Sequence, residues 1–351
     1  MATKQHRVNC FLFTIGFIGC AGSLAHAHDD LRGRADKHAP AALMGDHIHD
    51  PGEWMIEYRY MNMYMEDNRV GDTTVSDAGA FAFGTTSTPT TNVRATPTQM
   101  THEMHMLHIM RGMTEDITLY TMIMLPVLTM DHQRDPASPF GPNTTFTTHN
   151  SGFGDTAFGA LLRLYTDEDD DLILNLGCSV PTGDIFRTST APTGGAVAQP
   201  LPYPMRLGSG TFNARPGLTW KRYFEWGSLG SQLQTDLPIG RNYRNYSLGE
   251  VFQLNTWASQ VWTENFATSI RLEHFWRGNI DGADPMTPDN LISTNVESFR
   301  GGYSLNLGIG GAALVKGHLL NAEIIPTLYQ DIDGIQLETD WSLVASWSKS
   351  F

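Results

Sequence analysis

Trp54-Met55-Ile56-Glu57-Tyr58-Arg59-Tyr60-Met61-Asn62-Met63-Tyr64-Met65 alternates at every step. Trp54, Ile56, Tyr58, Tyr60 and Tyr64 occupy one set of alternate positions, and Met55, Glu57, Arg59, Met61, Met63 and Met65 occupy the other. Successive side chains of a strand point to opposite faces, so a period of two gives an aromatic face opposite a face of methionine and charge. A soluble sandwich would place charge outside and apolar groups within. Lipid on one side and a wet lumen on the other require the arrangement seen here.

The pattern recurs along the chain. Phe158, Ala160, Leu162 and Leu164 oppose Arg163, and Leu172, Leu174, Leu176, Cys178 and Val180 oppose Asn175 and Ser179. Phe212, Ala214, Leu218 and Trp220 oppose Arg215 and Lys221, while Leu229, Leu233, Leu237 and Ile239 oppose Gln232, Gln234 and Asp236. Phe252 and Leu254 oppose Gln253 and Asn255; Ile270, Leu272 and Trp276 oppose Arg271 and Glu273; Leu320, Ala322 and Ile324 oppose Asn321 and Glu323. The last stretch sets Leu337, Trp341, Leu343, Ala345, Trp347 and Phe351 against Glu338, Asp340, Ser342, Ser346 and Ser348.

Connections alternate in length. Long stretches over about Asp67 to Pro97, Asp131 to Asn150 and Thr182 to Arg206 take turns with short ones at Gly112 to Glu115, Thr166 to Asp170 and Glu225 to Gly227. Outer-membrane barrels have long external loops and short periplasmic turns. The expectation is an all-β, transmembrane, antiparallel up-and-down β-barrel of about 12 strands, of the bacterial outer-membrane type and location. A last strand ending on aromatic Phe351 would serve as the signal to the barrel-assembly machinery, and membrane lipid would surround the wall.

The N-terminus is consistent with that compartment. Lys4, His6 and Arg7 precede an apolar run from Cys10 to Ile18, and Ala25-His26-Ala27 supplies a cleavage site. The expected division is 1–27 signal peptide, 28–51 a His-containing N-terminal segment and 52–351 the barrel. Cys10 and Cys20 fall in the signal, so Cys178 stands alone and no internal disulfide or cysteine zinc site can form. A formal charge of -14 excludes the basic footprint of a nucleic-acid binder.

Ser151-Gly152-Phe153-Gly154-Asp155, continuing to Arg163-Leu164-Tyr165, resembles a pattern of the outer-membrane transporter family named after the meta-cleavage pathway of phenol degradation. Gly45-Asp46-His47-Ile48-His49 and the run from Gly52 to Met61 resemble a Met-rich branch of it. The resemblance implies a barrel that moves small organic compounds and transfers no defined ligand site.

Met100, His102, Met104, Met106, His108 and Met110 repeat the period of two. With Met61, Met63 and Met65 they would line one sector of the lumen. Thioether and imidazole suit Cu(I) or Ag(I). The same face also suits packing, or passage of a small hydrophobic or aromatic solute. Packing and passage are the favoured reading.

Glu57, Arg59, Arg163, Arg215, Arg271, Glu273, Glu323 and Asp340 are expected in the lumen. There they would either set solute selectivity or pair into a network that fills the barrel. His28, His38, His47 and His49, with Asp46 and Asp50, could capture a divalent ion or belong to a tail or plug. No nucleophile elbow or paired-acid spacing supports an enzyme, although His274 and Asp131-His132 are the residues one would require.

Overall fold

Each alternating stretch forms a strand hydrogen-bonded to the next. The computed structural model describes residues 33–86, 93–136, 145–189, 198–287 and 292–351. The expected leader over 1–27 and His28 lie outside these. The ring consists of β1 (Trp54–Gly71), β2 (Ala95–Thr114), β3 (Ile117–Arg134), β4 (Thr156–Thr166), β5 (Asp170–Val180), β6 (Phe212–Phe224), β7 (Gly227–Ile239), β8 (Val251–Thr263), β9 (Phe266–Arg277), β10 (Gly302–Val315) and β11 (His318–Ser350). Every neighbouring pair is antiparallel, and β11 pairs with β1 to close the barrel. At the seam Trp54 and Phe351 exchange backbone hydrogen bonds of 2.9 Å in both directions. Thr73–Val75 and Thr145–Ser151 extend the sheet beyond the ring, on β1 and β3.

The eleven ring elements make twelve passes, because β11 doubles back. His318 to Ile332 pairs with β10, whereas Ile335 to Ser350 pairs with β1. Trp347 Nε1 donates to His318 Nδ1 at 3.1 Å, and Thr339 N donates to Gln330 Oε1 at 2.9 Å. Those contacts require a reversal between the two halves, at Asp333-Gly334, where Gly334 takes φ +64°. The expected barrel of about twelve strands is therefore present.

Seven of the eight tryptophans sit on the outer surface or its edges. Trp54, Trp220, Trp226, Trp262 and Trp347 cluster towards the short-turn end, and Trp276 and Trp341 towards the long-loop end, as interfacial girdles do. Between them Leu119, Phe158, Leu176, Leu218, Leu233, Ile270, Ile309 and Leu320 are exposed, as a lipid-facing band should be. The eighth, Trp257, is buried inside against Ala39 and Leu43.

Loop parity holds except at the tight outer reversal Asp333-Gly334, and the long connections are partly ordered. β1 and β2 run past the expected loop limits, and the helix Asp77–Thr86 lies between them. Part of that connection packs through Ala80 with Val296, Phe299 and Ile335 over the outer end. Asp155 of the family-like motif is buried in these loops. Its carboxylate accepts from Gly183 N at 3.0 Å, Ser209 N at 2.8 Å and Ser209 Oγ at 2.7 Å, so the motif clamps loops and does not face a solute.

Candidate functional site in the barrel lumen

The segment before β1 turns into the lumen. Pro40, Gly45, Pro51 and Gly52 interrupt any regular element, so its backbone groups need partners from elsewhere. The barrel interior supplies them. At the short-turn mouth Ala35 N donates to Glu264 O at 2.8 Å. Deeper, Asn321 Nδ2 donates to Ala39 O (3.1 Å), Ala42 N to Glu323 Oε2 (2.9 Å), Arg59 Nη2 to Leu43 O (2.9 Å) and Gln232 Nε2 to Met44 O (2.8 Å). The chain then returns: Thr219 Oγ1 donates to Gly45 O, and His49 N donates to Thr118 Oγ1 at 2.9 Å. Gly52 and Glu53 exchange backbone bonds with Gly112. A Cβ on Gly112 would overlap the carbonyls of His49 and Asp50, so only glycine admits this approach.

The charged residues expected in the lumen mostly meet each other. Glu57 accepts from Arg59 Nη2 at 2.8 Å and lies 3.4 Å from His108 Nδ1. Arg271 donates to Glu323 at 2.7 Å and Asn255 at 2.6 Å, and it lies 3.5 Å from Glu273. Arg215 pairs with Asp236 at 3.1 Å. Arg163 is at the short-turn rim, 3.9 Å from the exposed Asp116.

Asp340 does not face the lumen. The register with β1 slips between Tyr64 and Met65, which oppose Trp341 and Thr339, so Asp340 is the extra residue of a bulge. Its carboxylate accepts from Glu66 N at 2.9 Å on the exposed side, and the same slip turns Leu337 inward against Met65 and Met100.

The methionine face points inward in register across three strands. Met65, Met100 and Met130 form one row; Met63, His102 and Leu128 the next; Met61, Met104 and Pro126 a third; then Arg59, Met106 and Met124; Glu57, His108 and Met122; and Met55, Met110 and Tyr120. Met61, Met104, Met106, Met122 and Met124 pack with Met44 of the inserted segment. At the outer end Leu201, Met205 and Leu207 of a long loop cover Met100 and Met130. Met63 and His102, both half-buried, lie in the row between those two clusters.

Lys221 takes the inward face expected of it, and Arg277 and Arg300 join the expected charged residues of the lumen. Lys221, buried, bonds Asp46 Oδ2 at 3.1 Å and Lys37 O. Arg277 stands over Phe275 at 5.1 Å in the outer half. Arg300, in a loop, has its pKa pulled down to about 9 by burial and then by the neighbouring Arg277. Arg277 occupies the second inward position after Glu273, so continuing the period of two would have found it; nothing local marks Arg300. Of the residues an enzyme would use, His274 lies on the outer surface 2.9 Å from Tyr303 Oη, and His132 stacks on Phe146.

The inserted segment carries its own histidines. Burial, followed by the neighbouring His47, holds His38 well below the ordinary range, and the same two causes bring His49 to about 4 against the pull of Glu53. Burial opposes ionisation of Asp46, but Lys221 and His47 outweigh it and hold that carboxyl low. A cavity of about 20 Å³, room for roughly one water, lies between this cluster and Glu57, Arg59 and His108.

The family model described as "Putative MetA-pathway of phenol degradation" matches residues 76–328. An outer membrane channel from Pseudomonas putida F1 superposes with a TM-score of 0.59, at 13% identity, over 86% of this chain and 97% of that one. The toluene transporter TbuX of Ralstonia pickettii gives a TM-score of 0.42 at 10% identity, over 90% and 93%. No curated protein matches the chain. The first likeness concerns the fold alone, a barrel of the bacterial outer membrane.

Proposed function

We propose, from the premise that the chain belongs to the MetA-pathway phenol-degradation family, that it is a channel for small hydrophobic or aromatic solutes, with residues 33–51 as its plug. The observation that supports this reading is the methionine wall. Flexible thioethers in register line one side of the lumen, partly under an outer loop cap and partly against the inner plug, with Met63 in the row between, and offer an apolar solute contact without fixed shape.

The Glu57–Arg59 and Arg271–Glu323 pairs support the plug, and the pore beside it has Arg277 and Arg300 in its outer half. Residues 52–351 form the wall, and 1–27 would be removed on export. The strand ending at Phe351 would be presented to the assembly machinery before it closes on Trp54. Packing is favoured over the soft-metal alternative, because most of the thioethers that would ligate Cu(I) or Ag(I) rest in apolar clusters.

The test is uptake of a labelled monoaromatic hydrocarbon by cells whose lipopolysaccharide layer is intact. Cells that make the protein should take it up several-fold faster than cells that lack it, with no gain for a sugar of similar size. Equal rates, or a gain for the sugar alone, would contradict the reading.

A further inference from the structure

Occluding the lumen does not require the side chains that the plug gathers at its base. His47 Nδ1 lies 3.0 Å from Asp46 Oδ1, and His47 Nε2 faces His49 Nε2 at 3.2 Å. His49 Nδ1 lies 3.2 Å from Glu53 Oε2 without forming an aligned hydrogen bond. Both rings are buried, His47 at 7% exposure and His49 at 2%. His38 packs edge-on to His47, ring centroids 4.1 Å apart, and ligand atoms of His38, Asp46 and His47 fall within 4.8 Å of one another.

Proton accounting narrows what this arrangement can hold. A carboxylate only accepts, so Asp46 keeps the His47 proton on Nδ1 and leaves a lone pair on Nε2, while Glu53, 3.2 Å from His49 Nδ1 without an aligned bond, attracts a proton to that nitrogen of His49. With both protons on Nδ1, two lone pairs face each other across 3.2 Å; with the His49 proton on Nε2, that nitrogen donates to His47. A shared proton is one way to relieve the facing lone pairs, and a metal ion is the other. Two imidazoles on one tetrahedral ion, each at about 2.05 Å, stand about 3.3 Å apart. A carboxylate behind each ring is also how ligating histidines are usually oriented. Lys221 already neutralises Asp46 at 3.1 Å, which makes that carboxylate an orienting group and not a ligand.

We propose that the plug binds one divalent transition-metal ion, of the zinc or copper(II) class, between His47 Nε2 and His49 Nε2. The ion ties the plug to Glu53 at the foot of β1. The proposal rests on plug geometry and is independent of which solute passes.

The experiment uses the full barrel refolded in detergent and stripped with chelator, then titrated at neutral pH with Zn(II) alone by calorimetry and with Cu(II) alone by electron paramagnetic resonance. One ion per chain is expected, with nitrogen couplings from at least two imidazoles. His47→Ala with His49→Ala should abolish binding, Glu53→Gln should weaken it about tenfold or more, and Met104→Leu with Met106→Leu should leave it unchanged. The heat-modified gel shift identifies folded variants, and Glu53→Gln retains both ligands if the double variant fails to fold. Absence of stoichiometric binding by the wild type would leave the proton as occupant and overturn the proposal. Binding that survives the double variant, or that follows the methionines, would overturn it as well.

Discussion

The two sides of the lumen hold the same plug by different means. On the wall from β6 to β11, Thr219, Lys221, Gln232, Asn321 and Glu323 bond plug backbone or side chains. On the wall from β1 to β3, Arg59 and Thr118 bond the plug, its return passes close over Gly112, and Met44 and Ile48 rest on methionines. A buried hydrogen bond that opens leaves a desolvated group behind, whereas an apolar contact can be exchanged for contact with a solute. The polar wall therefore anchors the plug, and the methionine wall is where a passage can open beside it.

The largest effect should come from the anchor. Arg271→Ala leaves Glu323, 1% exposed, buried beside the plug without its cation. The expected loss is on the order of 3–5 kcal/mol, seen as a lower unfolding temperature and faster proteolysis of the plug. An unchanged melting temperature would mean that the polar wall is not the anchor. Gly112→Val should act next, because its side chain would overlap the plug's return at His49 and Asp50. Plug cleavage at least several-fold faster, with single-channel steps in planar bilayers, is expected from a barrel that still folds.

On the other wall, Met104→Ser with Met106→Ser should cut hydrocarbon uptake several-fold while shifting stability by roughly 1–2 kcal/mol, and the Leu pair should behave nearly as wild type. A Ser pair with normal uptake would break the contrast between the walls. The smallest effect is expected at the outer end: Arg277→Glu, in the Gly112→Val background, should move ion preference from anions towards cations with little change in conductance.

The fold was legible because each strand has to satisfy two solvents at once. Tyr58 against Arg59, or Leu320 against Asn321, carries that demand in adjacent letters, and loop parity reported the same geometry independently. Asp340 was misplaced because a bulge adds one residue without changing composition, and a period of two has no memory across it. The plug was harder to foresee. Its bonds to Asn321 and Glu323 span nearly the whole chain, and no local pattern encodes a partner that distant. His47 and His49 were visible as a pair, but their opposed nitrogens follow from how Asp46 and Glu53 are held.

The central claim is that the methionine wall is the passage, and it can be tested by locating a solute directly. Crystals of the barrel soaked with bromobenzene should show anomalous bromine density against Met63 and His102, between the outer cap and the plug. Density confined to the polar wall among Gln232, Asn255 and Arg271, or none in the lumen at saturating bromobenzene, would contradict it.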